Sequence, residues 1–216
     1  MTDPITTAEV DYQVHFLSAG VHSGAGTGGA RADRRVLREG GDLLIPGSHL
    51  RGVIRHRMEQ LARALGETVA EPHALDPGQA PDAADPVTRV FGAGERDTVT
   101  VFHDLRPRQR SGPTSLRRRV SIDRRRRSQR PLRLFDMEVW EQDRLDGRII
   151  AHLEQPAHAR RDLALLVAAL RLVDAIGGSR SAGFGRCRIE IERVAVDGQA
   201  QELRALFAAL DDGSPE

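Results

Sequence analysis

The chain has 216 residues, 39% of them hydrophobic, and a net charge of +1, which is enough apolar material for one sizeable core. No apolar run approaches the roughly 18 residues of a membrane span, the N-terminus lacks the apolar segment of a signal peptide, and Cys187 is the single cysteine. These features exclude an internal disulfide and a cysteine-rich zinc site, and they predict a cytoplasmic protein with no membrane partner.

Positive charge is concentrated in one segment. All 32 basic residues are arginine. Residues 105–133 contain twelve arginines and one acid, Asp123, a local charge of +11 that leaves −10 for the rest of the chain. Such asymmetry points to a polyanionic partner even though the total charge is close to zero.

The N-terminal half predicts one strand, one helix and two loops. Alternation in "DYQVHFL" places Tyr12, Val14 and Phe16 on one face of a strand. An irregular N-terminal glycine loop, residues 20–35, follows it. The segment "IPGSHLRGVIRHRMEQLARAL" predicts a helix with Ser48 as its N-cap. Its apolar stripe consists of Leu50, Val53, Ile54, Met58, Leu61 and Leu65. Residues 66–96 are predicted to form a loop.

The C-terminal half predicts further strands at residues 97–102, 132–142 and 148–154, a helix at 161–176, a strand at 187–192 and a short helix at 202–210. The order β-α-β-β-(β)-α-β is typical of the α+β, ferredoxin-like split βαβ fold, which is also the RRM-like arrangement. We therefore predict one domain over residues 1–197, with a basic insertion at 104–133, and a short helix and tail over 198–216.

The C-terminal glycine loop, "GGSRSAGFGR" at residues 177–186, lies after a helix and before a strand. A dinucleotide-binding glycine loop has the opposite order, and no P-loop pattern is present. The loop therefore favours an extended polymer that approaches the backbone amides, with Arg180, Arg186 and Arg188 supplying charge. A purely structural helix stop and bend is the alternative.

Two motifs together resemble the RAMP superfamily of CRISPR-associated RNA-binding proteins. They are "LLIPGSHLRGVIRHRME", similar to the family's I-P-G-S-x-x-[KR]-G-x-x-R helix start, and "GGSRSAGFGRCRIEI", similar to its late G-S-x-x-x-G-[FY]-G-R loop. Further similarity in "VHSGAG", "VTRVFGAG" and "VSIDRRRRSQRPLRLFDMEVWE" points to the repeated backbone subunit of type III effector complexes. The resemblance covers about residues 12–191.

The resemblance implies a set of RNA contacts. A phosphate is expected at the start of the Ser48 helix, with Arg51 and Arg55 as a clamp at i and i+4. The insertion corresponds to the family's thumb, a hairpin that wedges between guide and target bases, with Leu116, Val120 and Ile122 as candidate wedges. The run after Asp123 is more basic than the family's segment. One interpretation is that this run is disordered in the free protein and folds when RNA binds. The implied RNA-binding residues are His22, Arg34, Gly47, Ser48, Arg51, Arg55, Arg124, Gly178, Ser179, Arg180, Gly183, Phe184 and Arg186.

The resemblance also implies catalysis. The family's N-terminal glycine loop carries an aspartate needed to cut target RNA, and "GARADRRVLRE" aligns Asp33 with it, after one inserted residue and with Arg35 in place of the usual proline. Asp42 is the fallback if the register differs. RNA supplies its own 2′-OH nucleophile, so one carboxylate suffices to accept the proton or to hold Mg²⁺ or another divalent cation.

The predicted function is therefore a crRNA-binding backbone subunit that cleaves complementary target RNA at regular intervals. Expected partners are crRNA, target RNA, other CRISPR effector subunits and further copies of the chain in a filament. A non-catalytic scaffold or capping subunit is the first alternative, because of the departures around Asp33. A crRNA-processing RAMP endoribonuclease is the second, and the long basic insertion speaks against it. No structural metal is expected.

Overall fold

The computed structural model describes residues 6–20, 35–70, 85–92, 100–110, 112–141, 144–153 and 156–211. These residues form strands and helices. In chain order the elements are β1 (Thr6–Phe16), β2 (Arg38–Glu39), β3 (Asp42–Leu43), α1 (Gly47–Ala64), α2 (Pro86–Phe91), β4 (Thr100–Phe102), β5 (Thr114–Asp123), β6 (Ser128–Trp140), β7 (Arg144–Leu153), α3 (Pro156–Arg171), β8 (Cys187–Val196), β9 (Gln199–Ala200) and α4 (Leu203–Asp211).

The strand order confirms the predicted α+β ferredoxin-like fold. The main sheet has five strands in the order β4-β7-β1-β8-β9. β1 pairs antiparallel with both β7 and β8, and β4 pairs antiparallel with β7. Hence β1 is parallel to β4 with β7 between them, and β7 is parallel to β8 with β1 between them. With α1 linking β1 to β4 and α3 linking β7 to β8, these are two interleaved split βαβ units.

The core lies between the sheet and the two long helices. β1 alternates buried Ala8, Val10, Tyr12 and Val14 with more exposed neighbours, although a bulge between Asp11 and Tyr12 interrupts the register. α1 and α3 pack against each other and contribute the long apolar side chains of the same core. In the described residues, no helix combines the length and apolar character needed to cross a bilayer.

The start of α1 differs from the prediction. Its N-cap is Pro46, with no side-chain cap, so the assignment of Ser48 as N-cap was wrong. The first residue of the helix is Gly47. Glycine is required at this position because a Cβ would lie 1.8 Å from the carbonyl oxygen of Phe102. The Gly47 N–H donates instead to the Asp104 carboxylate at 2.9 Å, an acceptor that lies 57 residues further along the chain.

The second long helix begins and ends about five residues earlier than predicted, at Pro156 and Arg171 instead of 161 and 176. Val173 and Ile176 continue the helical spacing and are buried, but they belong to a segment that pairs with the chain before β8. An isolated bridge joins Ala175 to Arg186 there. Apolar spacing alone could not separate a buried extended segment from another helical turn.

The predicted loop at residues 66–96 contains α2, which was missed. The Asp85 carboxylate accepts from the N–H groups of Val87 and Thr88 at 3.0 and 3.3 Å, ahead of a proline in the first turn. Arg89 then forms a bidentate ion pair with Asp162 of α3, both bonds 2.6 Å long and both side chains almost fully buried. This pair fixes α2 on α3.

The basic insertion predicted at 104–133 overlaps a two-stranded hairpin outside the main sheet, which extends beyond that range to Trp140 and includes most of the strand predicted at 132–142. β5 and β6 pair antiparallel from Thr114 opposite Trp140 to Asp123 opposite Ser128. Asp123 stabilises the turn, because its carboxylate accepts from the N–H groups of Arg125 and Arg126 at 2.9 and 3.1 Å. The run "RRRR" therefore forms the tip of a projecting hairpin.

Candidate nucleic-acid interface

A depression between α1 and the C-terminal glycine loop unites two segments that lie far apart in the sequence. Ser48 and Arg180 both line it. The rest of the lining comes from α1: His49, Gly52, Val53, His56 and Arg57. These positions share one helical face because they recur at intervals of about three or four residues. The two predicted RNA-contact motifs therefore meet on one surface.

The C-terminal glycine loop is closed at its neck by backbone pairing. The Ile176 N–H donates to the Gly185 carbonyl at 2.9 Å. Ser179, Gly183 and Gly185 all have positive φ, at 57°, 84° and 68°. Backbone geometry thus accounts for the glycines at 183 and 185. Of the predicted contact residues here, Gly178, Ser179 and Phe184 are partly buried, whereas Arg180, Gly183 and Arg186 are exposed.

Arg51 and Arg55 point toward α2 and do not line the depression. Arg51 donates to the Phe91 carbonyl at 2.5 Å, and Arg55 donates to the Gly92 carbonyl at 3.2 Å. Arg55 also pairs with Glu59 at 3.0 Å. Cations at the carbonyl end of a helix are stabilising, so both arginines hold α2 against α1. Their role as a phosphate clamp stays a prediction.

The N-terminal end of α1 is already supplied with acceptors from the protein. Besides the bond from Gly47 to Asp104, the N–H groups of His49 and Leu50 donate to the Pro46 carbonyl at 3.0 and 3.4 Å. Gly47 itself is buried. A phosphate at this surface would therefore be attracted by side chains such as Arg180 more than by free helix amides.

Phe184 connects the C-terminal glycine loop to the hairpin. Its ring packs against buried Met137 and Val139 of β6. The Arg119 guanidinium of β5 lies 5.3 Å from the ring centroid, within the range of a cation–π contact. This side chain therefore anchors the base of the hairpin, and any stacking on RNA bases, as the resemblance implies, stays a prediction.

The outer part of the hairpin is exposed and carries both charge and apolar side chains. Leu116, Val120 and Ile122 are 52%, 45% and 62% exposed, and Arg124 at the tip is exposed as well. Arg118 is engaged by Asp136 at 2.9 Å. A projecting arm with apolar and cationic groups has the chemistry to insert among bases while contacting phosphates.

Glu138 anchors the segment that follows the N-terminal glycine loop. Its carboxylate accepts from the Val36 N–H at 3.0 Å, the Thr114 hydroxyl at 2.7 Å and Arg38 at 3.4 Å. On the other side of that loop, Gly20 exchanges backbone hydrogen bonds of 3.1 and 2.9 Å with Trp140. The described residues at both borders of the loop are thus held by β6.

The predicted residues His22, Asp33 and Arg34 lie outside the described residues. The fallback carboxylate, Asp42, lies in β3 and pairs through its backbone register with Glu39 of β2. Glu39 in turn pairs with Arg106. The assignment of the catalytic aspartate therefore rests on the sequence resemblance.

We expect Glu138→Gln to lower the free energy of unfolding by about 1–3 kcal/mol at pH 7. Burial raises the pKa of the Glu138 carboxyl, but hydrogen bonds from Thr114, Val36 and Arg38 outweigh burial and lower it below its usual value. A carboxyl with a lowered folded-state pKa stabilises the fold above its unfolded pKa of about 4.3 and loses that contribution as the pH falls through the folded-state pKa.

The measurement is urea unfolding of wild type and Glu138→Gln at pH 7 and at pH 3. The difference between them should shrink at the lower pH. Glu202→Gln, at an exposed carboxylate just before α4, serves as the control and should behave like wild type. An equal Glu138→Gln deficit at both pH values would contradict the role of the ionised carboxylate.

The sheet face away from the helices is covered by ion pairs. Asp11 of β1 pairs with Arg148 at 2.5 Å and with Arg193 at 3.8 Å, and Arg108 pairs with Asp146 at 2.8 Å. RRM domains bind RNA by stacking bases on sheet aromatics. The β1 aromatics Tyr12 and Phe16 pack in the core instead, so the depression and the hairpin are the better candidates for RNA.

Sequence reasoning missed three residues that organise this surface: His49, Arg57 and Arg119. Arg57 bonds to Asp174 at the neck of the loop, and His49 accepts from Gly177 at 3.0 Å. Helical spacing from Ser48 could have placed His49 and Arg57 near the predicted phosphate. Within the described residues, no group of three metal-ligating side chains is found.

Comparison with known proteins identifies one family. A family model described as the RAMP superfamily matches residues 14–188, which is most of the chain. No curated protein matches the sequence. The matched range includes the depression, the hairpin and the whole C-terminal glycine loop.

Proposed function

This chain belongs to the RAMP superfamily, which indicates a CRISPR-associated, RNA-binding role, and we propose that it is a crRNA-binding backbone subunit of a type III effector complex that cleaves target RNA. One observation carries the proposal. The start of α1 and the C-terminal glycine loop, with Ser48 and Arg180, line a single depression. The basic hairpin is docked on the same loop through Phe184.

Binding in this surface is independent of base sequence. Arg180, Arg186 and the hairpin tip at Arg124 are exposed cations suited to phosphate oxygens. Contacts to the backbone position an RNA without reading its bases. A subunit repeated along guides of different sequence needs this property.

We attribute the regular interval between cuts in the target RNA to the hairpin. Its exposed Leu116, Val120 and Ile122 would insert at one point of the guide–target duplex, at a cost of about a few kcal/mol for each unstacked step. Charge on the flanking arginines offsets that cost. Each copy of the chain would then distort the duplex once, which sets a regular interval between cuts.

Cleavage in the proposal uses the RNA's own nucleophile. The 2′-oxygen attacks the adjacent phosphorus, the bond from phosphorus to the 5′-oxygen breaks, and the products are a 2′,3′-cyclic phosphate and a 5′-OH. Asp33 accepts the 2′-OH proton, while water returns a proton to the leaving 5′-oxygen. Arg34 and Arg35 stabilise the developing charge on the phosphate.

The family resemblance implies that Asp33 could hold a divalent cation such as Mg²⁺. The described residues contain no set of three ligands to hold such an ion. If one is bound, it supplies charge stabilisation at the phosphate.

Copies of the chain would associate head to tail along one guide, together with other effector subunits in the cytoplasm. Head-to-tail contacts of this kind give filaments unless the rotation closes a ring. A non-catalytic scaffold or capping subunit is the second candidate. It is favoured by the residue inserted before Asp33 and by Arg35 in place of the family's proline.

Arg180→Ala should weaken binding of single-stranded RNA by about tenfold and to the same extent for every sequence, because one charge-assisted contact is lost. The slope of log K against log salt should fall by about one. The measurement is fluorescence anisotropy with labelled RNAs of three unrelated sequences at several salt concentrations.

The matched control is Arg204→Ala, which removes an exposed arginine on α4 and should bind like wild type. Wild-type protein that fails to bind RNA would refute the proposed function. A loss confined to one RNA sequence would contradict the backbone contact.

A further inference from the structure

His49 joins α1 to the C-terminal glycine loop by a direct hydrogen bond. The Gly177 N–H donates to His49 Nε2 at 3.0 Å. Because Nε2 is the acceptor, the neutral ring carries its proton on Nδ1. Gly177 is buried and has a φ of 100°, so the bond is made at a constrained point where the chain leaves the core to enter the loop.

The same helix holds the loop at a second point. Arg57, two turns after His49 and lining the same depression, bonds to Asp174 just before the loop. On the far side of the loop, Ser18 donates to the Gly183 carbonyl at 2.8 Å and accepts from the Arg186 N–H at 3.0 Å. The loop is therefore fixed at both sides, and His49 contacts its first residue, Gly177.

Arg180 lies close to that contact along the chain. It lies three residues after Gly177, a chain length of at most about 10 Å. The side chain is exposed and lines the depression with His49 and Ser48. A shift of Gly177 would therefore also shift the Arg180 guanidinium relative to the start of α1.

We propose that His49 is a positioning residue for RNA: by holding Gly177, it places Arg180 where a phosphate bound beside Ser48 can be contacted. The proposal rests on the proposed RNA-binding function and extends it to a residue that occupies a variable position in the family pattern. His49 acts through Arg180, so removal of either side chain removes the same phosphate contact.

A double-mutant cycle tests this dependence. Binding of a labelled mixed-sequence single-stranded RNA is measured for wild type, His49→Ala, Arg180→Ala and the double variant at several salt concentrations. His49→Ala should weaken binding by about tenfold and lower the salt slope by about one, as Arg180→Ala does. The double variant should bind no more weakly than Arg180→Ala alone.

His158→Ala is the matched control. His158 is an exposed histidine on α3 and does not line the depression. Its removal should leave the affinity within about twofold of wild type. Equal losses for His49→Ala and His158→Ala would overturn the proposal, because the loss would then not depend on the contact with Gly177.

His49→Gln provides a second test if the alanine variant fails to fold. Glutamine keeps an acceptor oxygen for Gly177 and should restore binding to within about threefold of wild type. Weak binding by a folded His49→Gln, or additive effects in the cycle, would overturn the positioning role while the RNA-binding function stands. Absence of binding by wild type would overturn both.

Discussion

Replacing Asp33 with alanine is expected to abolish cleavage of target RNA in the assembled complex while leaving RNA binding intact. A positioned base contributes about 10²–10⁴-fold to such a reaction, so cleavage should fall by at least about 10²-fold. Binding should persist because the proposed grip on RNA comes from Arg180, the hairpin and other cations elsewhere in the chain. The result would separate the catalytic group from the scaffold that holds the substrate.

The assay combines the complex, guide RNA, a labelled complementary RNA and Mg²⁺. Wild type should produce regularly spaced fragments ending in a cyclic phosphate, and Asp33→Ala should leave the RNA whole. Asp42→Ala is the matched control, since Asp42 is the next carboxylate that the alignment could place at this position. Cuts that survive in Asp33→Ala but vanish in Asp42→Ala would show that the register is wrong. Intact RNA with wild type would favour the scaffold reading.

Gly185→Ala is expected to destabilise the fold by about 2–5 kcal/mol. Part of the cost is conformational, because Gly185 has a φ of 68°, a region that costs a residue with a Cβ about 1–2 kcal/mol. The larger part is steric. A Cβ would lie 1.9 Å from the Ile176 carbonyl oxygen, a backbone atom that cannot rotate away, and overpacking of this kind costs about 1–3 kcal/mol.

Gly183→Ala separates the two costs. Gly183 has a φ of 84°, yet a Cβ there would meet open space, so only the conformational cost applies. Urea unfolding should therefore rank wild type above Gly183→Ala and Gly183→Ala above Gly185→Ala. Equal destabilisation by the two substitutions would show that close approach to Ile176 is unimportant.

Local patterns predicted the general fold well. The alternation of β1 and the apolar stripe of α1 reflect which side chains face the core, and the order of elements was sufficient for the split βαβ topology. The family resemblance predicted that Ser48 and Arg180 share a surface, and the depression places them together. Charge counting located the basic hairpin, because a cluster of like charges is visible in any linear window.

Contacts between distant residues explain where the predictions were incomplete. Arg51 and Arg55 have the spacing of a clamp, but the carbonyl end of α2 lies beside them and accepts their hydrogen bonds. Phe184 resembles a stacking residue in sequence, yet the base of the hairpin packs against it. In each case the residue type indicated the kind of contact that the side chain makes, but the sequence did not indicate which partner it contacts.

By itself, the amino-acid sequence determined the two long helices, most strands of the main sheet, the concentration of arginine between residues 105 and 133 and the family to which the chain belongs. These properties follow from periodicity, composition and motif spacing, which need no knowledge of distant neighbours. Only the tertiary structure decided that Asp104 meets the start of α1, that His49 holds Gly177 and that Glu138 holds Val36. Each of these bonds joins groups 57 to 128 residues apart. Polar groups that are buried on folding need a hydrogen-bond partner, and the tertiary structure decides which distant residue supplies it.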